Sequence, residues 1–397
     1  MRRLLTFYIF VSLSLKAVFA QNGTGIVGNG YYRICNYATQ RYLYVTDNKD
    51  YYDMSKDIGD FQAIQLWKDI NRTIADPASV IYVMQVSSDH YDLKAQGTGV
   101  HSLTGHYIGA KKQSNGTYEV SASVSKAGIE VVKYLTDDEK SSSPQGQMGT
   151  NGKLNYRKWI VDKIETNHAT NYVGLKPKME LNGRFYQPFF AAFPFKATSP
   201  DMHIYYISQT EGDLALLQEI EGEIPASTPV IIECASSDPS QNRLELLISS
   251  SAKVTGNKLS GVYFCNGERP KASTDAYTKF NASTMRVFSV VNGRLVLTND
   301  APESLKEIET TDWSTYEDIN ILCLPANTSY MKAGANTPSI IELTSDPTDI
   351  NSILADSKAN TTEGVYTISG TQLRPTNNVQ GLPAGLYIVG GRKIAVK

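Results

Sequence analysis

The alternation of short apolar runs with turn residues is the feature that most constrains this chain. In RVFSVVNGRLVLTND (residues 286–300), two apolar runs flank the pair Asn292-Gly293. This pair tolerates the left-handed backbone of a type I′ turn, so the stretch predicts a β-hairpin. Runs such as YYRICNY, RYLYVTD and SVIYVMQVSS are typical of further strands, because aromatic and β-branched residues favour them. Helical periodicity is scarce, and the sequence predicts an all-β chain with short helices at most.

The first residues have the pattern of a secretory signal peptide. Two arginines are followed by an apolar run over residues 4–15, and Val18 and Ala20 are the small residues before the expected cut. The run is too short for a stable membrane span, and no later segment approaches transmembrane length. We therefore expect residues 1–20 to be removed and the protein to leave the cytoplasm.

Charge and cysteine usage argue against several function classes. The formal net charge is −2 with scattered basic residues, which argues against nucleic acid or an anionic membrane as the main partner. The four cysteines are dispersed without CxxC spacing, which is typical neither of a zinc site nor of a disulfide scaffold. We expect each to be a small apolar residue in a strand, with a disulfide between Cys234 and Cys265 as the alternative.

Motifs that carry catalysis or cofactors are absent from the sequence. It contains no GxSxG, HExxH, Walker loop or strand-linked GxGxxG. His101 and His106 are the closest histidine pair, and their spacing favours neither a helix face nor strand alternation. The sequence therefore predicts no catalytic residue, no cofactor and no metal.

Two polar stretches suggest where the chain divides. Residues 137–153 are rich in Gly and Ser and predict an exposed loop. Residues 344–364 have few large apolar side chains and predict a linker. The predicted organisation is a signal peptide (1–20), a β-trefoil-like domain (21–178), a β-sandwich (179–345), a linker (346–363) and a small carboxy-terminal β module (364–397).

The carboxy-terminal stretch resembles the sorting domains of secreted Bacteroidetes proteins. The shared layout is VYTISGTQL, then LPAGLYIV, a tight turn and a KIAVK ending, all within residues 364–397. The resemblance implies a small β-sandwich that is read by the type IX secretion machinery, and attachment to the cell surface in some members.

The last two strands of this stretch predict one shared apolar face. They are joined by the Gly390-Gly391 pair, and side chains alternate along a strand with a period of two. On that basis we expect one face to carry Leu386, Ile388, Ile394 and Val396.

The amino-terminal part resembles a repeat of ricin-type β-trefoil lectins. YYRICNYATQRYLYVTDN is followed by QAIQLWKDI, in which Gln65-Leu66-Trp67 matches the Q-x-W element. Segments around SVIYVMQV and RKWIVDKIE are candidates for the later repeats. The resemblance implies a trefoil with Trp67 in its core. The family's sugar-binding aspartate would fall near Tyr44, so the resemblance does not imply classical sugar binding at this repeat.

The middle of the chain, from about Met179 to Leu343, resembles β-sandwich modules of Bacteroidetes surface proteins. The segments that carry it are FYQPFFAAFPF, IPASTPVIIE, SGVYF and LPANTSYMK. The resemblance implies architecture and location, without a chemistry.

One acidic and aromatic stretch is a candidate ligand-facing site. In TTDWSTYEDIN, a plausible sugar-facing cluster consists of Asp312, Trp313, Tyr316 and Glu317. Paired carboxylates are also what a glycosidase uses. The preferred interpretation is a solvated loop with one anchoring aromatic residue, because acidic residues are common on every surface.

Together these patterns predict a secreted or cell-surface protein of bacterial origin that binds without catalysing. The expected partner is a glycan or another surface protein, and the carboxy terminus is expected to meet the secretion machinery. The alternatives are a structural or assembly component of the cell surface and a divergent glycoside hydrolase.

Overall fold

The protein is described here by a computed structural model. The described residues are 23–45, 64–67, 70–88, 90–96, 101–102, 108–126, 129–140, 145–148, 154–263, 265, 277–312, 314–345, 364–368, 370–389 and 392–396. The predictions on the signal peptide and on the linker lie outside these residues.

The all-β prediction is confirmed, since strands dominate and a single short α-helix occurs in the described part of the chain. The first group of strands is connected by pairing from residue 30 to residue 163. Its elements are β1 (Gly30–Asn36), β2 (Tyr42–Val45), β3 (Ile64–Trp67), α1 (Ile70–Ile74), a 3₁₀ turn (Pro77–Ser79), β4 (Ile81–Gln85), β5 (His90–Ala95), β6 (His101–Ser102), β7 (Ile108–Lys112), β8 (Tyr118–Lys126), β9 (Ile129–Thr136), β10 (Gln145–Met148), a 3₁₀ turn (Leu154–Arg157) and β11 (Lys158–Lys163).

Six of these strands close into a ring. The antiparallel pairings run β1–β4, β4–β5, β5–β7, β7–β8, β8–β11 and back from β11 to β1. Each third of the ring carries an excursion, that is, one or two strands that pair with a barrel strand but lie outside the barrel. The excursions are the β2–β3 hairpin on β1, β6 on β5 and the β9–β10 hairpin on β8. A closed six-stranded barrel with one excursion in each third is the topology of a β-trefoil, and closure leaves the barrel strands without open edges.

Alternate residues of the barrel strands fill its interior. Tyr32 and Ile34 of β1 point inward, and the fully buried Trp159 of β11 lies in the same cluster. The Trp159 indole Nε1 donates a hydrogen bond to the Leu135 carbonyl at 3.1 Å, which satisfies its polar atom inside the core. Trp67 lies on the excursion strand β3, opposite Tyr42, and its side chain is outside the described set.

The second group of strands lies between residues 173 and 344, forms three sheets, and includes a 3₁₀ turn (Pro302–Ser304). Its strands are β12 (Val173–Gly174), β13 (Met179–Leu181), β14 (Arg184–Phe189), β15 (Phe195–Ala197), β16 (His203–Glu211), β17 (Leu214–Glu219), β18 (Val230–Cys234), β19 (Arg243–Leu246), β20 (Leu259–Val262), β21 (Met285–Val291), β22 (Arg294–Thr298), β23 (Lys306–Asp312), β24 (Glu317–Cys323), β25 (Thr328–Lys332) and β26 (Ile340–Thr344).

A sheet of ten strands forms the body of this β-sandwich. Its order is β13-β14-β18-β16-β17-β26-β22-β21-β25-β20, and a three-stranded sheet β12-β19-β15 packs on one side. The central strand β18 is buried on both faces. Val230 and Ile232 pack toward the smaller sheet, and Ile231 packs into the cluster on the other face. β23 and β24 form a separate hairpin.

The trefoil and the sandwich share a core. Tyr31 and Tyr82 point out of the barrel into the cluster that contains the sandwich phenylalanines. The Tyr31 ring lies 5.2 Å from Tyr82 and 5.8 Å from Phe193, measured between ring centroids. β1 is therefore buried along its whole length, with one face in the barrel and the other against the sandwich.

The carboxy-terminal residues form a four-stranded sheet of their own. Its order is β28-β27-β29-β30, and its core consists of Val365, Tyr387 and Val389. Its strands are β27 (Val365–Thr367), β28 (Gln372–Arg374), β29 (Gly385–Val389) and β30 (Arg392–Val396).

The predicted apolar face of the last hairpin is wrong. Val389 pairs with Arg392, so Leu386 lies opposite Ala395 and Tyr387 lies opposite Ile394. Residues directly opposite share a face, which places Leu386 and Ile394 on different faces. The reason is parity, because a loop of two residues pairs an even-numbered position with an odd-numbered one.

The cysteine prediction can be compared with the structure at all four positions. All four cysteines are buried and none forms a disulfide; three lie in strands, and Cys265 lies outside one. Cys234 packs in the core shared with the trefoil, and Cys265 packs in another cluster with Cys323, so the alternative of a Cys234–Cys265 disulfide is not realised. Within the described residues, no helix has the length and hydropathy needed to cross a membrane.

Candidate functional site

The candidate site is a cleft between the trefoil and the sandwich. It has a volume of about 540 Å³, which lies within the range of ligand pockets. The trefoil wall is built by the end of β2 and by residues 72–78, and the sandwich wall by residues 176–179, 186–188, 303–306 and 325–328, together with Cys265.

The trefoil wall is ordered by a local cap. Asp76 precedes the 3₁₀ turn Pro77–Ser79, and its Oδ1 accepts a hydrogen bond from the Ala78 backbone N–H at 2.9 Å. Proline at the first helical position has its backbone angle set for such a turn. The 3₁₀ turn within this wall is therefore capped by a residue of the same segment.

A buried arginine holds this wall from behind. Arg33 of β1 is fully buried and donates to the Thr73 carbonyl at 3.1 Å, to Ser79 Oγ at 3.0 Å and to Asn171 Oδ1 at 2.8 Å. Burial lowers the pKa of Arg33 to about 10, because desolvation disfavours the charged form. Arg33 thus connects the cleft wall at Thr73 and Ser79 to barrel strand β1 and to Asn171, which follows the last barrel strand.

Tyr44 forms the floor of the trefoil side. Its ring is almost fully buried and packs against Ala78. The Arg72 guanidinium lies 5.9 Å from the ring centroid, within the range of a cation–π contact. The position at which lectin resemblance would put an aspartate therefore lies in the cleft and carries an aromatic ring.

The sandwich wall contributes a half-buried tyrosine beside a charged pair. Tyr186 of β14 lies opposite Glu233 of β18. Glu233 Oε1 accepts from Arg184 Nε at 2.5 Å. Burial raises the pKa of Tyr186, and the Glu233 carboxylate raises it further, so the phenol stays protonated at neutral pH. Its half-exposed ring gives the cleft an aromatic surface.

The charged groups of the cleft are mainly basic. The lining contains four cations, Arg72, Lys176, Lys178 and Lys306, and two acids, Asp76 and Glu303. Both acids are engaged within the protein, Asp76 as the cap and Glu303 through Ser289 Oγ at 2.7 Å. A chain of net charge −2 therefore presents a cationic cleft.

The predicted DWSTYE cluster lies elsewhere, at the tip of the β23–β24 hairpin. Asp312 and Glu317 are the last opposed pair of the ladder. Asp312 Oδ1 accepts from the Ser314 backbone N–H at 2.9 Å and from Ser314 Oγ at 2.7 Å. These two bonds hold the pKa of Asp312 below its usual range. The acidic residue therefore has a clear role in closing the turn.

Two further members of that cluster, Tyr316 and Glu317, lie on the surface of the hairpin tip. Tyr316 is 79% exposed and has a positive φ of 61°, as a turn residue. Glu317 is exposed, and neither it nor Asp312 lines the cleft between trefoil and sandwich or the cavity beside Lys258 and Lys332. Trp313 lies outside the described residues. Whether this tip meets a ligand stays a prediction.

Only one histidine of the predicted pair lies among the described residues. His101 lies on β6, and His106 is outside the described residues. Within the part of the chain that the structure describes, no group of three or more His, Cys, Asp or Glu side chains is arranged to hold a metal ion.

Sequence reasoning missed most of the cleft residues. Arg72, Lys178 and Tyr186 come from segments that only the packing of two units brings together. The Asp76-Pro77 pair is the one local signal, since it marks a capped turn. Nothing in the spacing of the others indicates a shared site.

Comparisons with known proteins do not identify a family for this chain. No protein-family model matches the chain, and no curated protein matches it. Among solved structures, it is similar to a mosquitocidal holotoxin at 10% identity and a TM-score of 0.23, over 78% of this chain and 34% of that one. The chain spans about a third of the toxin chain, and a similarity of this size carries no weight for fold or function.

Proposed function

We propose that this protein is a non-catalytic binding protein, secreted or displayed at a bacterial cell surface, and that it binds a glycan in the cleft between trefoil and sandwich. The observation that carries the proposal is the cleft itself. It combines a half-buried tyrosine on one wall with an aromatic floor on the other, and it is lined by hydrogen-bonding side chains.

Saccharides fit these features. Their apolar ring faces pack on aromatic side chains, and their hydroxyls both donate and accept hydrogen bonds. Tyr186 offers the ring face, and Lys176, Lys178 and Arg72 offer donors around it. The ricin-type resemblance supports a lectin-like fold but not classical sugar binding at Tyr44, so the glycan is proposed from the cleft itself. The signal-peptide pattern of residues 1–20 and the resemblance of residues 364–397 to sorting domains support export and surface display.

The test is a glycan array probed with residues 21–397, followed by calorimetric titration of the best ligand. Tyr186→Ala is expected to weaken binding about tenfold, since an aromatic contact contributes about 0.5–1.5 kcal/mol beyond its buried area. Tyr206→Ala is the matched control, because Tyr206 is also half-buried on a strand of the same sheet and does not line the cleft.

Three outcomes would refute the proposal. One is an array without a hit, and another is a ligand whose affinity is equal in both tyrosine variants. The third is release of reducing sugar from a bound polysaccharide, which would favour the glycoside hydrolase alternative. If the array is empty while the protein captures a defined surface protein through the cleft, the partner is a protein.

A further inference from the structure

A second cavity, also of about 540 Å³, lies within the sandwich and has a different character. It is formed by the end of β16, the turn after it, the end of β25 and the loop of residues 333–339 before β26. Among the described residues that line it, Lys258 and Lys332 are the charged ones. Both are exposed, and neither makes an ion pair with a carboxylate in the described part of the chain.

A buried arginine supports the cavity loop from beneath. Arg286 is 4% exposed and donates to the Thr337 carbonyl at 2.8 Å and to the Pro338 carbonyl at 2.6 Å. Its other two bonds go to the carbonyls of Ala282 and Met285. Desolvation lowers the pKa of Arg286, with no carboxylate acting in the opposite direction. The positive charge of Arg286, which is hydrogen-bonded to backbone carbonyls and to no carboxylate in the described residues, therefore lies directly behind two residues of the cavity lining.

The acidic residues near the cavity are not part of its lining, so they do not neutralise the lysines there. Glu211 and Asp213 flank the lining residue Gly212 but are not part of the lining. Glu342 follows the lining residue Ile341, and its carboxylate pairs with Arg294. The lining is thus cationic, and hydroxyl and amide groups of Thr210, Asn336 and Thr337 complete it.

The loop that carries these groups is well fixed. The Gly334 backbone N–H donates to Thr337 Oγ1 at 2.8 Å, and the Thr337 N–H donates to the Gly334 carbonyl at 3.0 Å. Ala333 N–H donates to the Thr284 carbonyl at 2.8 Å. A cavity with fixed walls costs little ordering on binding, which favours a ligand.

We propose that this cavity is a second binding site, separate from the cleft, and that it takes an oxyanion group, a carboxylate, sulfate or phosphate. Two lysines, hydroxyl donors and a buried guanidinium without a bonded acid are complementary to such a group. The volume exceeds that of a bare inorganic ion, so the oxyanion is expected to belong to a larger molecule such as an acidic saccharide.

The experiment titrates residues 21–397 with four probes: sodium sulfate, sodium phosphate, hexagalacturonate and the neutral maltohexaose. We expect hexagalacturonate to bind, the inorganic ions to compete with it at higher concentration, and maltohexaose not to compete at this site. Lys258→Gln and Lys332→Gln are each expected to weaken hexagalacturonate binding by up to about fivefold, as for exposed ion pairs. Binding should also fall as ionic strength rises.

Two controls separate this site from the cleft and from general effects of charge. Lys253→Gln removes an exposed lysine that is not in the lining, and it should leave binding unchanged. Tyr186→Ala alters the cleft and should also leave it unchanged. Since the replaced lysines are exposed, folding should persist, which circular dichroism checks.

Each outcome of these titrations either supports or overturns the proposed oxyanion site. Equal affinity for sulfate and hexagalacturonate would support the site and identify the free ion as its ligand. Binding that is absent for every anion would overturn the proposal. So would binding that survives when Lys258→Gln and Lys332→Gln are combined in one variant, or that disappears in Tyr186→Ala.

Discussion

Asn327 offers the sharpest test of how the two large units are joined. It is 5% exposed, comes from the sandwich, and lies on the wall of the cleft. Its Nδ2 donates to Gln96 Oε1 of the trefoil at 2.8 Å and to the Phe190 carbonyl at 2.9 Å. Its φ of 53° is in the left-handed region, which asparagine tolerates better than most residues.

The expected cost of Asn327→Ala follows from these contacts. Loss of the donor leaves the fully buried Gln96 carbonyl oxygen without this partner, which costs about 1–3 kcal/mol. Alanine in a left-handed conformation adds about 1 kcal/mol. We therefore expect the free energy of unfolding to fall by about 3 kcal/mol.

Two further substitutions separate the contributions. Asn327→Gly accepts the backbone angle and should recover about 1 kcal/mol, while the loss of hydrogen bonds remains. Asn327→Asp keeps the shape and replaces a donor with a carboxylate that faces two acceptor oxygens. At neutral pH it should destabilise the protein at least as much as alanine does.

Urea unfolding of residues 21–397, followed by circular dichroism, measures these differences. A double-mutant cycle with Gln96→Ala should give a coupling energy of about 1 kcal/mol, since the two residues are in contact. A coupling near zero would refute the reasoning, as would an aspartate variant as stable as the wild type.

Two more predictions follow from burial and from strand pairing. Burial raises the pKa of Cys35, Cys234 and Cys323 to about 12, so a thiol reagent at pH 8 should leave all three unmodified in the native protein and modify them in guanidinium. Because the unfolded chain loses these protons near the ordinary thiol pKa of about 8.5, their contribution to stability is complete below that pH and declines above it, which urea unfolding across pH 7–10 would detect. Deleting residues 364–397 should leave the melting temperature of the body nearly unchanged, because the described strands of that sheet pair only with one another, and it should alter where the protein is located. A body that is strongly destabilised by the deletion, or a location that stays the same, would contradict this.

Local turn chemistry is what the sequence predicts best. Asn292 and Gly293 have φ values of 51° and 73°, and the strands on either side pair from Val291 and Arg294 outward. The prediction of a type I′ hairpin there is confirmed, because both residues that carry the signal lie within the turn itself. Tertiary contacts are not needed to decide it.

The face that a side chain occupies is harder to predict than the turn type. The sequence indicates that Gly390-Gly391 is a two-residue loop, and the pairing of Val389 with Arg392 agrees with it. The predicted face is nevertheless wrong, because a two-residue loop pairs odd-numbered with even-numbered positions, so Leu386 and Ile394 lie on different faces. The buried residues of this sheet include Tyr387 and Val389, which the predicted face does not contain.

The cleft depends on contacts that no local pattern encodes. Its trefoil wall is fixed by Arg33, whose partners lie 40, 46 and 138 positions further along the chain. An arginine within the run YYRICNY is equally compatible with an exposed strand position. Only the fold shows that this guanidinium is buried and bonded to the segment that forms the site.

The burial of β1 on both faces also bears on function. In a free-standing trefoil the outer face of a barrel strand is open to solvent, yet here Tyr31 is 4% exposed because the sandwich covers it. Tyr44 on the neighbouring strand β2 forms the floor of a cleft whose opposite wall belongs to the sandwich. The lining that contains Tyr44 of the first trefoil repeat also contains Tyr186 and Lys178 of the sandwich side. The proposed site is therefore built by the two units together, which explains why trefoil residues considered alone indicate a fold more clearly than a ligand.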